Sequence, residues 1–234
     1  MLPIRPQKVQ AEVIRKEKIS ALVYLITLAH VNPPELQFSP GHFLSMQVSP
    51  TAFRSYSICS DYKDIKTLSI IVAAEHEGVG ASYIRNLSVG DIVFFIGPAG
   101  RFLLPQALGS KLIFLATGTG ISPIATYLYK FADTGYTGSI KIHFGVRNEA
   151  ELFFVNLLDT FKNKLPNYDY QICFSVDGCR VTDVIKTGVD QTAKYFLCGN
   201  PNMIDDSIGL LALNGITPEN IFYEKFTHTG SGSK

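Results

Sequence analysis

The sequence predicts two domains, an antiparallel six-stranded β-barrel followed by an α/β domain built on a parallel sheet. Three observations predict this. A chain of 234 residues is long enough for two compact units. Residues 8–96 read as short β segments separated by stretches rich in Pro, Asp, Ser and Asn. Beyond residue 110, continuous apolar strands alternate with amphipathic helical stretches, the pattern of a parallel sheet covered on both faces.

In the first half the strands are KVQAEVIR, SALVYLITLA, FLSMQV, RSYSIC, TLSIIVAA and DIVFFI. Turns fall at VNPPELQFSPGH, SPTAF and SDYKD, and one short helix is expected at ASYIRNL, residues 81–87. Six strands closed into a barrel leave no exposed edge. In the second half KLIFLA is a buried strand, ISPIATYLYKFADT a helix ending at Gly135, and SIKIHFG a strand. EAELFFVNLLDTF, residues 149–161, predicts a second amphipathic helix, followed by strand DYQICFSV and a short helical stretch near VTDVIK. Strand AKYFLC, helix NPNMIDDSIGLLAL and strand NIFYEKF complete the order. Asn200 suits an N-cap, Pro201 the first helical position, and Gly215 the end of that helix. The expected division is 1–104, 105–226 and a flexible tail, 227–234.

Composition narrows the partners. A net charge of +1 supplies no concentrated basic field, so neither nucleic acid nor an anionic membrane is expected as partner. The N-terminus MLPIRPQKVQ has no apolar leader, and runs such as Leu112 to Ala116 fall far short of the roughly 20 residues of a membrane span. A cytoplasmic protein is expected. Cysteines at 59, 173, 179 and 198 lack the spacing of a zinc ribbon or iron–sulfur centre, and the five histidines form no ligand motif, so no metal is expected.

Three stretches could carry chemistry. ATGTGISPI, residues 116–124, follows the first parallel strand and opens a helix; its glycines at 118 and 120 permit close backbone approach to a pyrophosphate, or simply make a tight turn. Pro123 stands where the dinucleotide fingerprint has glycine. CGNP delivers Cys198 to a strand's carboxyl end, where α/β sheets bind ligands, although a free cysteine is also a common packing residue. EGVGASYI offers a second glycine turn with a hydroxyl at Ser82. The strand RSYSIC is anomalous, since Arg54 and Tyr56 share one face and Ser55 and Ser57 the other, with neither face apolar.

Six collinear motifs give the chain its resemblance to a known family. R-x-Y-S spans Arg54 to Ser57, G-x-S Gly80 to Ser82, and G-P-x-G-x-F Gly97 to Phe102. T-G-T-G-x-x-P spans Thr117 to Pro123, C-G-x-P Cys198 to Pro201, and E-x-F Glu224 to Phe226. In these, over residues 8–226, the chain resembles the ferredoxin–NADP reductase-like flavoproteins. The resemblance implies that the barrel holds FAD: Arg54 would neutralise the pyrophosphate, Tyr56 lie against the isoalloxazine and Ser57 hydrogen-bond near flavin N5. Gly80, Ala81 and Ser82 would complete the diphosphate site, with backbone of Val72 lining it and Thr117 approaching from the second domain. Gly118, Thr119, Gly120 and Pro123, with Gly199, would take NADH or NADPH. Cys198 would pack against the nicotinamide, Glu224 would partner Ser57, and Phe226 would cover the flavin ring.

The chain also departs from the family. Eight residues follow Phe226, where plant-type members end on an aromatic. Arg147 suits an adenosine 2′-phosphate, but Asp177 stands where a second cation is expected and favours NADH. The implied activity is FAD-dependent NAD(P)H oxidation, with electrons passed to a separate acceptor: a protein such as a ferredoxin, flavodoxin or oxygenase component, or a small molecule. The alternatives are a reductase of free flavins and a non-catalytic module that senses redox state through bound flavin or nucleotide.

Overall fold

A computed structural model of the chain describes residues 4–21, 23–74 and 77–226. The tail expected at 227–234 lies outside the described residues. The chain divides into two compact units: residues up to Leu104 together with Ser122–Thr134, and Pro105–Ile121 together with the chain from Gly135 onward.

The first unit contains β1 (Gln7–Lys18), β2 (Val23–Asn32), β3 (Phe43–Gln47), β4 (Phe53–Ser57), β5 (Thr67–Ala73), helix α1 (Val79–Asn86) and β6 (Ile92–Ala99). The strands form one antiparallel sheet in the order β4-β3-β6-β1-β2-β5. An antiparallel bridge between Ile58 and Ile70 brings the outer strands together, so the sheet curls into a near-barrel. Its interior follows from the period of two: Val9, Ala11 and Val13 of β1, Leu44 and Met46 of β3, and Val93 and Phe95 of β6 are all buried. Each fully buried side chain of this size stabilises the fold by roughly 1.5–3 kcal/mol. The outward residues of β6, Ile92, Phe94 and Ile96, are apolar yet exposed, so alternation there is in burial rather than in polarity.

Helix α2 (Ile121–Thr134) has the bounds its sequence predicts. From Ser122 onward it belongs with the first unit. The Gly41 N–H donates to Thr126 Oγ1 at 2.9 Å, the Thr126 hydroxyl donates to the Pro123 carbonyl at 2.6 Å, and the Tyr127 hydroxyl donates to the Phe102 carbonyl.

The second unit is built on β7 (Lys111–Thr117), β8 (Ser139–Val146), β9 (Tyr168–Phe174), β10 (Lys194–Gly199) and β11 (Ile221–Lys225), all parallel, in the order β11-β10-β7-β8-β9. Helices α3 (Val155–Lys162), α4 (Asp183–Lys186) and α5 (Pro201–Leu213) connect them. Phe114, Phe196 and Phe222 occupy one register row across β7, β10 and β11, with ring centroids 4.9 and 4.8 Å apart. The α5 start matches its punctuation, because Asn200 Oδ1 accepts the N–H of Asn202 at 2.9 Å and Pro201 follows.

One helix differs from expectation. Residues 149–151 form only a 3-10 turn, and α3 begins at Val155. Phe153 is buried edge-on against Phe144 at 5.5 Å, and Phe154 takes left-handed backbone at φ 67°. Helical periodicity therefore extends through ELFF, but packing of Phe153 holds that stretch out of the helix.

Candidate cofactor-binding site

In the first unit β4 presents Arg54 and Tyr56, both half-buried, beside the start of α1. A Cβ built on Gly80 would stand 2.9 Å from Arg54 Cγ and 3.4 Å from the Tyr56 hydroxyl, so only glycine lets the helix come this close. No side chain caps α1, which follows Gly78 at φ 152°, and its first-turn N–H groups are oriented as anion donors. Burial pushes the Tyr56 phenol up to about 12, with the Arg54 charge opposing and Tyr83 assisting, so Tyr56 is a neutral ring and hydroxyl donor. A guanidinium, a helix start and a flat phenol form a donor set that suits a diphosphate joined to an aromatic system.

Ser82 lies one turn along α1, in an open depression of about 480 Å³ lined also by Val48, Gly78, Val79, Tyr83 and Asn86. The G-x-S motif marks Ser82 here but not Val48, Tyr83 or Asn86; the spacing 79, 82, 83, 86 on one helix face is the signal that could have found the last two. Ala81 packs against the barrel core. Val72 sits inside that core, paired with Tyr24, so only its backbone is available to a ligand. Ser57 ends β4, opposite Phe43, and is 5% exposed.

In the second unit the predicted residues gather at the carboxyl edge of β7, β10 and β11. A Cβ on Gly120 would collide with the Cys198 carbonyl and stand 2.8 Å from Gly199 Cα; a Cβ on Gly199, at φ 127°, would collide with Thr117. The two glycines thus let neighbouring strand ends close on each other. Gly118 differs: its φ is 52° and nothing lies within 4 Å of its Cβ direction, so its backbone borders open space. Thr119 stands between them, half-buried. Thr117 Oγ1 accepts the Asn200 N–H at 2.9 Å and ties β7 to the start of α5.

Cys198 is wholly buried, and its register partner on β11 is Glu224. Burial, and secondarily the Glu224 charge, push this thiol well above its ordinary value. The Phe226 N–H donates to the Gly199 carbonyl at 3.0 Å, fixing the chain just past β11. Pro123 lies in the first turn of α2, its carbonyl engaged by Thr126.

Arg147 follows β8 and Asp177 lies in the 3-10 turn after β9, both exposed. The Val176 N–H donates to the Arg147 carbonyl at 3.1 Å and joins the two loops. The Arg147 guanidinium reaches Glu151 at 3.1 Å. Among the described residues, no cluster of three or more His, Cys, Asp or Glu could hold a metal ion, and no helix is long and apolar enough to cross a membrane.

Family models match both halves: an oxidoreductase FAD-binding domain over residues 10–103 and an oxidoreductase NAD-binding domain over 114–208. The toluate 1,2-dioxygenase electron transfer component of Pseudomonas putida is 30% identical over 227 residues, 93% of this chain and 67% of that protein. The propane 2-monooxygenase reductase component of Rhodococcus jostii is 27% identical over 237 residues, and the chain spans only 64% of its length. Among solved structures, an Amycolatopsis cytochrome P450 reductase superposes with a TM-score of 0.88 at 21% identity, covering 97% of this chain and 72% of that one. Ferredoxin-NADP+ reductase from Plasmodium falciparum gives 0.79 at 24% identity, covering 94% and 96%; these two likenesses bear on fold. Two adjoining domain matches and a 30% identical relative make the chain a member of the ferredoxin–NADP reductase family.

Proposed function

We propose that this protein is an FAD-dependent NAD(P)H reductase that passes electrons to a separate acceptor, an oxygenase component being the class its relatives' names suggest. The observation that carries the reading is the contact of Gly80 with Arg54 and Tyr56 at the start of α1. That arrangement fits FAD, which supplies when bound a ring that accepts hydride and releases electrons singly.

The residues 1–104 are assigned to FAD and 105–226 to the nicotinamide nucleotide. Arg54, the N–H groups of Gly80 and Ala81 and the Ser82 hydroxyl hold the diphosphate, and the Val72 backbone borders it. Tyr56 orients the ring, and Ser57 holds a hydrogen bond at its N5 edge. Gly118, Thr119 and Gly120, with Pro123 and Gly199, seat the nicotinamide nucleotide, Thr117 is assigned to the FAD diphosphate, and Arg147 and Asp177 meet the nucleotide's adenosine ribose. Cys198 and Glu224 act as catalytic positioning groups, and Phe226 shields the ring from water. Orientation of this kind contributes several kcal/mol, about 7–11 at most, to lowering a barrier. The Cys198 thiol keeps its proton, so its contribution is shape rather than nucleophilicity. The four cysteines are free thiols, which supports residence in the reducing cytoplasm.

The test is an anaerobic visible spectrum before and after each nucleotide. A yellow protein bleached by NADH, and more slowly by NADPH, is expected. A colourless protein that oxidises NADH only when FMN is supplied would be a reductase of free flavins. A yellow protein that neither nucleotide bleaches would be a binding module.

A further inference from the structure

We propose that Cys173 and Cys179 form a reversible disulfide that locks the turn at residues 174–178. Cys173 is the penultimate residue of β9 and is buried; Cys179 is half-buried, at the turn's exit. Gly178 at φ 78°, ψ 1° reverses the chain, and the Cys179 N–H donates to the Phe174 carbonyl at 3.2 Å. This short closure returns Cys179 to the end of β9, near enough to Cys173 for the two thiols to act on each other electrostatically. Both pack on one apolar cluster with Val181 and Ile185, so the pair has a fixed floor. Disulfides need Cβ atoms roughly 3.5–4.5 Å apart, a spacing set by the backbone; the tight closure through Gly178 supplies that approach, and side-chain rotation then has only to bring the two sulfurs together.

Exposure decides the order of events. Burial first, then the neighbouring Cys179 thiol, push the Cys173 thiol up to about 12, so it keeps its proton while Cys179 meets solvent. With a peroxide as oxidant, the Cys179 sulfur attacks one peroxide oxygen, the O–O bond breaks, and a sulfenic acid and one water result. The Cys173 sulfur then attacks the sulfenic sulfur, the S–O bond breaks, and a second water leaves. The two thiols have lost two electrons and two protons to hydrogen peroxide, and a dithiol reductant reverses the reaction.

The locked turn carries Asp177 and is bonded through Val176 to the Arg147 carbonyl. On the reading that these residues meet the nucleotide, oxidation raises the KM for NADH and leaves kcat nearly unchanged, because binding and not alignment is altered. Trypsin releases residues 165–180 as one peptide containing only these two cysteines, which isolates the chemistry from Cys59 and Cys198.

The experiment treats the holoenzyme with hydrogen peroxide, then with dithiothreitol. Expected are a loss of about 2 Da in that peptide, restored by dithiothreitol and absent in Cys179→Ser, and a KM for NADH raised about three- to tenfold in the wild type alone. Failure of the peptide to lose that mass overturns the disulfide. Disulfide formation with an unchanged KM overturns its regulatory role. Failure of NADH to bleach the protein overturns the functional reading, while the peptide mass still decides the disulfide.

Discussion

Cys198 and Glu224 stand directly opposite each other across the parallel β10–β11 ladder, the thiol wholly buried and the carboxylate side chain half-exposed. Burial and the neighbouring negative charge both disfavour the thiolate, in that order. The thiol is therefore inert in the native protein. In mildly alkaline buffer, iodoacetamide is expected to alkylate the half-buried Cys179 and to spare Cys198 until the chain is unfolded, as read by peptide mapping. Native labelling of Cys198 at a rate matching Cys179 would refute this.

Gly118 and Gly120 predict opposite kinds of damage. Gly120→Ala sets a methyl against backbone of Cys198 and Gly199, which cannot swing aside, and is expected to cost about 1–3 kcal/mol as overpacking. Gly118→Ala meets no atom but must keep φ near 52°, a cost of about 1–2 kcal/mol. Its methyl also enters the space assigned to the nucleotide. Thermal melts should rank Gly120→Ala as less stable, whereas KM for NADH should rise in Gly118→Ala even at temperatures where it is fully folded.

The distinction between those glycines marks what the sequence could not tell. Both sit in one motif, yet one is glycine because β10 approaches it and the other because of its own φ; only the tertiary contact separates them. Strands and α2 were legible because alternation, apolar runs and Gly135 are local signals. Strand order was not: β6 inserts between β3 and β1, a choice made by long-range pairing. The start of α3 was misread because Phe153 follows helical spacing but is held by Phe144. Cys173 and Cys179 looked scattered, since six positions of separation say nothing until Gly178 turns the chain back.

Arg54 and Ser57 share β4 but are assigned separable tasks. Arg54→Ala removes a charge-assisted contact to phosphate, worth about 1.5–3 kcal/mol, so FAD retention should fall roughly 10- to 100-fold. Ser57→Ala leaves the diphosphate donors intact and should slow flavin reduction far more than it weakens retention. Flavin released on dilution, followed by fluorescence, and stopped-flow bleaching by NADH separate the two effects. Equal losses of retention and reduction rate in Ser57→Ala would remove its assigned role.

Asp190 couples stability to acid. Its carboxylate is held near 2 by the Lys111 ammonium first, at 2.6 Å, and then by the side chain and N–H of Thr192. The folded value lies below the ordinary 3.8, so the stabilisation is fully present above that value and is lost as pH falls through about 2. The side chain is 33% exposed, and solvent screening reduces the pair to about 0.5–1 kcal/mol. Asp190→Asn should lower stability by that amount at neutral pH, with the gap to wild type closing in acid denaturation. Asp190 lies in the segment leading into the amino end of β10, away from the glycine turns at the carboxyl end, so kcat and KM should be unchanged.

On the proposed assignment, Asp177 discriminates between the two nucleotides. Its carboxylate lies exposed in the turn after β9, in a loop bonded to the one that carries Arg147, and the Arg147 guanidinium is already engaged by Glu151. A 2′-phosphate brought there meets one partly neutralised cation and one repelling carboxylate, whereas a ribose hydroxyl can donate to that carboxylate. Asp177→Arg reverses the repelling charge and adds a forked donor. The ratio of kcat/KM for NADPH over NADH should rise on the order of tenfold or more, equivalent to at least one charge-assisted hydrogen bond. Most of that change should appear in KM, because the ribose end lies far from the transferred hydride, and the bleaching rate at saturating NADH should stay close to wild type. An unchanged ratio would place nucleotide discrimination on residues other than Asp177.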